Sequence, residues 1–591
     1  MTHYFSTVQQ TVKDCVRRVW LLRLVAFIVL RPRRFWDEFI GPLVDYWRFR
    51  RSVEGFRRFL ARTPDTQMDC DRPGLLIVAG QAMNAHWCQL WSLLGGAYRR
   101  TGHLVFVLTS KSEPIRNLYF RLFGIKCIYL EDLQIRSIII PESFTNDVTR
   151  LETFQGFKNF SVEGVPFGQI AISTYSRLRA TGIIDVSNPK VRAEIRAWLI
   201  YLYQTIETAK RLYETKNIQK LFFTEVFMEE YGACYYAALA HKLNVVRFAG
   251  TVRDDAVIVQ HLTHESDRTH HASINPKSWA RICEYPDSLA MDRELQQNFL
   301  DRYGDRWALS KRNQSNARIM PPDEARALLG VPHDRKIAVI FSHILYDTLF
   351  FFGEDLFPCY ADWFVESVKA ACMNSDVQWF VKVHPSNLWR GELEYFFSGK
   401  YEEVRLIEKY IGKLPDHVQL VYPDTPISPY TWFQITDYGI TVRGTSGIEL
   451  GALGKTVVTA GSGRYEEIGF SINSHSIDEY LSVLARLPDV PTPTAEQRRL
   501  GARFAYGTFC MKPFTLDFLR PVPRAGKTSI FSPDDLVYLG NFPSEPEELP
   551  TSISRFVQWS FDRDSIDLLN EWPTETSRLT SWAEKAKEFS N

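Results

Sequence analysis

Three short segments in the latter half of this 591-residue chain carry the residue types that hold phosphate. His384-Pro385 follows Lys382 at the end of an apolar run, Gln378 to Val383. Arg443-Gly444-Thr445-Ser446 follows a second run, Tyr438 to Val442, and a helical pattern starts at once. Gly461-Ser462-Gly463-Arg464 follows a third, Lys455 to Ala460. A chain that leaves a strand through glycine and hydroxyl residues into a helix aims N–H groups and a positive dipole end at one spot, which suits an anion. An imidazole can donate to a phosphate oxygen and steady a leaving group, and proline fixes the backbone beside it. Arg443 can neutralise phosphate charge in place of a metal. Thr445 and Ser446 offer hydroxyls, and Gly444 allows close approach. Glu449 has two readings. Ser446-x-x-Glu449 spells a capping box, and an acidic residue here can also accept ribose hydroxyls. Gly461, Ser462 and Arg464 either close over a sugar or base or make a flexible turn. Together the segments predict a site for a nucleotide mono- or diphosphate.

Group transfer from such a nucleotide needs a carboxylate, either to deprotonate an acceptor hydroxyl or to act as nucleophile. Glu225 ends a predicted strand, Leu221 to Phe227, Asp255 belongs to Asp254-Asp255, and Asp347 follows His343. Each also reads as an ordinary loop carboxylate. His384 joins the catalytic candidates through the leaving group. His261, His264, His270 and His271, with Glu265 and Asp267, have a spacing that can bind metal, but no helical H-E-x-x-H frame holds them. They read as a polar loop, and no metal is expected.

The elements around these residues alternate strand and helix from Gly74 onward. Gly74 to Gly80, His103 to Ser110, Lys126 to Asp132, Leu221 to Phe227 and Asn244 to Gly250 read as strands, with helices between them. A polar, proline-bearing stretch, Arg302 to Arg335, reads as a connection with one short helix, Asp323 to Leu329. A second alternating series begins at Lys336 to His343. The fold class expected is α/β and GT-B-like, with two doubly wound Rossmann-type domains facing a cleft. The domain boundaries expected are a basic helical segment at 1–65, an N-terminal acceptor domain at 66–320, a C-terminal nucleotide domain at 321–512 and an extension at 513–591.

Composition narrows the function classes. A net charge of +1 argues against a general nucleic-acid binder. Nine dispersed cysteines without a C-x-x-C pair argue for reduced thiols in the cytoplasm and against a zinc module. Between Lys13 and Arg62 there are 13 Lys and Arg against 5 Asp and Glu, and Val16, Val19, Trp20, Leu24, Phe27 and Ile28 share one helical face. Such a helix lies on an anionic membrane surface or packs on the protein's own domain, and both readings stay open. Its apolar run, Leu24 to Leu30, is too short to span a bilayer.

Val381 to Pro385 (VKVHP), followed by Thr441 to Tyr465, resembles the bacterial capsular polysaccharide synthesis proteins, a group that includes Kdo transferases and is related to GT-B sialyltransferases. Phe341 to Asp347 and Val165 to Thr174 are similar to segments of the same group. The resemblance covers roughly residues 335 to 470 well and 70 to 260 thinly. It implies a glycosyltransferase that uses a CMP-activated acidic sugar such as Kdo, with His384, Thr445 and Ser446 holding the CMP phosphate. The sugar passes to a lipid- or glycan-linked acceptor. The nucleotide sugar is a substrate and no cofactor is implied. A metal-dependent GT-A route is disfavoured because no D-x-D ends a strand. The acidic pair of the sialyltransferases is followed by glycine, whereas Ala256 follows Asp254-Asp255 here. Three alternatives share the fold: a CDP-alcohol polyol-phosphate transferase, a nucleotide-sugar 2-epimerase, and a non-catalytic assembly or export partner. The place expected is the cytoplasm, with peripheral contact through residues 13–62 on the inner face of the membrane.

Overall fold

The computed structural model describes residues 36–62, 72–80, 84–227, 229–263, 266, 268–347, 349–388 and 400–572. Two α/β sheets organise them. The first contains β1 (Gly74–Gly80), β2 (Leu104–Thr109), β3 (Lys126–Tyr129), β4 (Ile218–Phe223), β5 (Asn244–Gly250) and β6 (Ala256–Leu262). The second contains β7 (Ile337–Phe341), β8 (Gln378–Lys382), β9 (Val418–Val421), β10 (Tyr438–Thr441), β11 (Thr456–Thr459) and β12 (Ile472–Asn473). Residues of β1 and β7 are buried throughout. Their uninterrupted apolar runs are what helices on both faces of a parallel sheet demand.

The second sheet runs β12-β11-β10-β7-β8-β9, all parallel. The strand order therefore reverses between β7 and β10, where Ala338 pairs with Tyr438. The first sheet places β3, β2, β1, β4 and β5 in the same doubly wound sequence, and it reverses between β1 and β4. Its β6 is antiparallel to β5. The expected architecture is thus present, with two Rossmann-type domains.

Several local expectations change. Leu221 to Phe227 is not one strand. β4 starts at Ile218 and stops at Phe223, so Glu225 lies in the loop beyond it. His261 is not in a polar loop but inside β6, buried. The stretch from Arg302 is not bare connection. Arg302 and Tyr303 end the helix Leu289–Tyr303, and Ala308–Asn313 forms another.

The extension folds back on the first domain. After the helix Ala495–Tyr506, β13 (Phe514–Thr515) pairs antiparallel with β6 and becomes the edge of the first sheet. A hairpin of β14 (Leu519–Pro523) and β15 (Leu536–Gly540) follows. Lys512 and Asp567, both buried, form an ion pair at 2.9 Å, and Ile566 O accepts the His261 N–H at 2.8 Å.

The described part of the basic N-terminal segment packs on this same domain. Phe49, Val53 and Phe56 are buried, and Phe56 stacks on Phe542 with centroids 4.3 Å apart. The outward face of its first helices carries Trp36, Leu43, Val44 and Trp47, all exposed, and Arg50 lies over the Trp47 ring at 5.0 Å. The amphipathic face predicted at 16–28 lies outside the described residues. Among the described residues no helix is long and apolar enough to cross a membrane.

Candidate functional site

Strands that diverge at a reversal of order leave a crevice off their carboxyl ends. In the second sheet a cavity of about 390 Å³ opens there. β7 delivers Ser342-His343 to its wall, β8 delivers Lys382, His384 and Pro385, and β10 delivers Arg443 through Ser446. Glu449, Arg464, Arg302, Tyr303, His270 and His271 complete the wall.

The helix Thr445–Ala452 starts at this cavity with Gly444 as its N-cap and no side-chain cap. Ser446 therefore lies inside the first turn, and the capping box with Glu449 does not form. The Gly444 N–H donates to Thr441 Oγ1 at 3.0 Å. A side chain at Gly444 would put its Cβ 2.7 Å from that oxygen, so the tight approach requires glycine. Thr445 Oγ1 accepts from Arg464 Nη2 at 2.9 Å, and Arg464 Nη1 donates to Arg443 O at 3.1 Å. Burial pushes Arg464 down to about 10.

Arg443 is already neutralised. Its Nη2 donates to Glu354 O at 3.0 Å and pairs with the Asp355 carboxylate. The positive charge that the sequence reading assigned to phosphate is therefore largely taken up by Asp355. Gly461 and Ser462 hold that loop rather than the cavity wall. The Ser462 N–H donates to Glu354 O and the Glu354 N–H to Ser462 Oγ, both at 2.9 Å, and Gly461 bridges Asp355.

Lys382 differs from its neighbours. It is 5% exposed, it lines the cavity, and its ammonium has neither an ion pair nor a hydrogen bond among the described residues. Burial alone pushes it down to about 8. Beside it, the Ser386 N–H donates to His384 Nδ1 at 3.2 Å, so the neutral ring carries its hydrogen on Nε2. The His384 N–H donates to Glu403 Oε1 at 3.3 Å, and Ser342 Oγ donates to the same oxygen at 3.0 Å. Burial pushes Glu403 up to about 7. His343 Nε2 accepts the Val442 N–H at 3.2 Å, and burial, then His384, holds its pKa well below the usual value.

Glu449 is 2% exposed. It accepts from the Tyr303 hydroxyl and pairs with Arg302 Nε at 3.3 Å. Neither partner was foreseen in the sequence, because both sit where the connection was expected to begin.

The carboxylates separate by position. Asp347 lines this cavity and also a second one, of about 610 Å³, which shares part of its wall. Arg177 Nη1 pairs with Asp347 at 3.1 Å. Glu225 lines neither wall but lies near enough to Asp347 to feel its charge. Burial first, then the Asp347 charge, pushes it up to about 7. Asp255 is held by Arg253 at 2.9 and 3.1 Å and is also outside both walls. Its neighbour Asp254 lines the second cavity, accepts the Ala308 N–H at 3.0 Å, and is pushed up to about 6 by burial.

The histidine cluster splits. His270 and His271 stack with centroids 4.2 Å apart and line both cavities, kept neutral by burial and nearby arginines. His261 stacks on Trp559 instead, also at 4.2 Å. His264, Glu265 and Asp267 lie outside the described residues. Among the described residues no group of His, Cys, Asp or Glu could hold a metal ion.

Fold and site together define a two-domain, GT-B-like α/β protein with a basic cavity at the reversal point of its second sheet. A scan of protein-family models gives no match, and no curated protein matches. Solved structures similar to it include a beta Kdo 2,4 transferase, KpsC of Thermosulfurimonas dismutans. It is 12% identical, with 51% of this chain and 83% of that chain covered and a TM-score of 0.30. A glycosyltransferase from Rickettsia africae is 12% identical over 76% of this chain and 95% of that chain, with a TM-score of 0.26. A UDP-GlcNAc 2-epimerase from Neisseria meningitidis is 12% identical over 74% and 96%, with a TM-score of 0.24. Similarity this remote bears on neither substrate nor reaction.

Proposed function

We propose that this chain is a nucleotide-sugar-dependent glycosyltransferase of capsule or surface polysaccharide synthesis. It moves a CMP-activated acidic sugar such as Kdo to a lipid- or glycan-linked acceptor. One observation carries the reading: an uncapped helix N-terminus, a buried lysine without a counter-ion and an imidazole with Nε2–H converge on one cavity. A phosphate would supply the acceptor that the helix N-terminus and the Lys382 ammonium lack, with the His384 ring beside it. The CMP and acidic-sugar details rest on the resemblance of VKVHP and the Thr441 to Tyr465 stretch.

In this reading Lys382, Thr445, Ser446 and the helix N-terminus hold the phosphate. His384, fixed by Pro385, donates to the leaving oxygen. Arg464 keeps the surrounding field positive, Arg443 with its Asp355 partner braces the loop behind it, and Glu449, oriented by Tyr303 and Arg302, accepts a ribose hydroxyl. The acceptor oxygen forms a bond to the anomeric carbon while the bond from that carbon to the phosphate oxygen breaks. The bonding pair leaves with the nucleotide, and the acceptor proton passes to Asp347. Rate enhancement comes from positioning and from neutralising the leaving phosphate. No cofactor takes part. Residues 66–320 mainly serve the acceptor and 321–512 the donor, with Arg302 and Tyr303 reaching over to orient Glu449. The exposed Trp36, Leu43, Val44 and Trp47 beside Arg50 fit peripheral contact with the inner face of the cytoplasmic membrane.

The test is thermal. CMP is expected to raise the melting temperature of the full chain by mass action, and His384→Ala to abolish the rise. Wild-type protein whose melting temperature ignores CMP, CDP and UDP would overturn the proposal. Turnover of CMP-, CDP- and UDP-linked donors, with and without membrane extract, then identifies the substrate.

A further inference from the structure

The second cavity has no assigned occupant. Its base is the carboxyl end of the first sheet, where Asn84 follows β1 and Thr251 to Asp254 follow β5. Its far wall is not part of either sheet. Pro533, Leu536 and Tyr538 of the extension form it. This wall is anchored at several points. The Tyr538 N–H donates to Gln89 Oε1 at 2.7 Å and the Tyr538 hydroxyl to Asp254 O at 2.9 Å. Asn84 Nδ2 donates to Asp534 Oδ1 at 3.1 Å, and the Tyr538 ring stands edge-on to His86 at 5.9 Å.

We propose that this cavity is the acceptor site, that the extension is a functional wall of it, and that a saccharide ring docks on the Trp87 indole with a hydroxyl on Asp254. This inference rests on the transferase reading above and adds the class of acceptor and the part of the chain that selects it. A pyranose ring has an apolar C–H face and a rim of hydroxyls. Trp87 is half-buried on the cavity wall and supplies a partner for the face. Asp254 spends one carboxylate oxygen on the Ala308 N–H, and its other oxygen has no hydrogen-bond partner among the described residues. Asn84 and Arg253 add polar groups to the same wall. A lipid chain would need a wholly apolar channel, which these residues deny. The shared wall of Asp347, His270, His271, Thr445 and Arg464 brings a docked hydroxyl to the donor cavity.

The experiment uses the full chain, the nucleotide-linked sugar that turns over, and membrane extract as the acceptor preparation. Trp87→Ala is expected to raise the KM for extract roughly tenfold, the loss of one aromatic contact, with the Kd for CMP unchanged. Trp87→Phe should restore most of it, which guards against a folding defect. Pro533→Trp, which fills the cavity from the extension side, should raise the same KM and also spare CMP binding. Unchanged extract KM in Trp87→Ala and Pro533→Trp, with CMP still bound, overturns this inference alone. Loss of CMP binding by the wild type overturns the transferase reading and this one with it.

Discussion

Lys382 gives a prediction in which stability and affinity move in opposite directions. Its ammonium is buried in the cavity wall without a counter-ion, and its pKa lies near 8 rather than the usual 10.5. The depressed value means that the unfolded chain binds more protons than the folded one between these two pKa values. Folded stability therefore rises with pH across that window, and below pH 8 the full cost of the buried charge is present. That cost is roughly 3 kcal/mol. Lys382→Met should stabilise the nucleotide-free protein at pH 7 by up to about that amount. The same substitution should weaken CMP binding at pH 7 by roughly 10- to 100-fold, the loss of one charge-assisted hydrogen bond. Because only the protonated lysine binds phosphate well, wild-type affinity should fall about tenfold between pH 7 and pH 9. The assays are calorimetric titration with CMP at constant ionic strength from pH 7 to 9.5, and denaturant unfolding at pH 7. A Kd that stays flat over that range in the wild type, or a slope that survives in Lys382→Met, would refute the assignment of Lys382 to the phosphate.

Three further outcomes follow from the geometry. Asp347→Asn should leave the Kd for CMP unchanged and lower transfer by about 10²- to 10⁴-fold, the range for a lost general base; full activity in single-turnover assays would exclude Asp347. Glu225, pushed up to about 7 by burial and by Asp347, is favoured in its protonated form in the folded chain, so its contribution to stability declines as pH rises from the usual carboxylate range through 7. Glu225→Gln should flatten that decline, and unfolding midpoints at pH 5 and 8 test it. Asp567→Ala leaves the Lys512 ammonium buried and unpaired and should cost about 3–5 kcal/mol, read as a lower midpoint in urea.

Most of the parallel strands were legible because parallel sheets write themselves as apolar runs. β1, β5, β8 and β10 appear in the sequence within a residue or two of their observed ends. The cluster of Lys382, His384, Thr445 and Ser446 was legible for the same reason, since each follows such a run. What stayed hidden is the partner each of the other side chains finds in the fold. Arg443 looked available because Asp355, which lies 88 residues away, leaves no local signal. Glu449 had two readings, and the capping one drops out because Gly444 is the N-cap and Tyr303 holds the carboxylate. Asp255 was one of three candidate carboxylates; Arg253, two residues earlier, holds it while Asp254 faces the opening. The extension was read only as a wrap. Its β13 is only two residues long, and Arg520, Pro521 and Pro523 break the apolar run of β14.

The edge of the first sheet has a consequence for biosynthesis. β6 is translated long before Phe514–Thr515, the strand that covers it. About 250 residues separate them, so at ordinary elongation rates the bare edge lasts roughly 10–50 s on the ribosome. An uncovered strand is a template for mispairing with other chains. Fragments that stop short of residue 514 should therefore aggregate when expressed, and the intact chain should depend on co-translational chaperones until its C-terminal segment emerges.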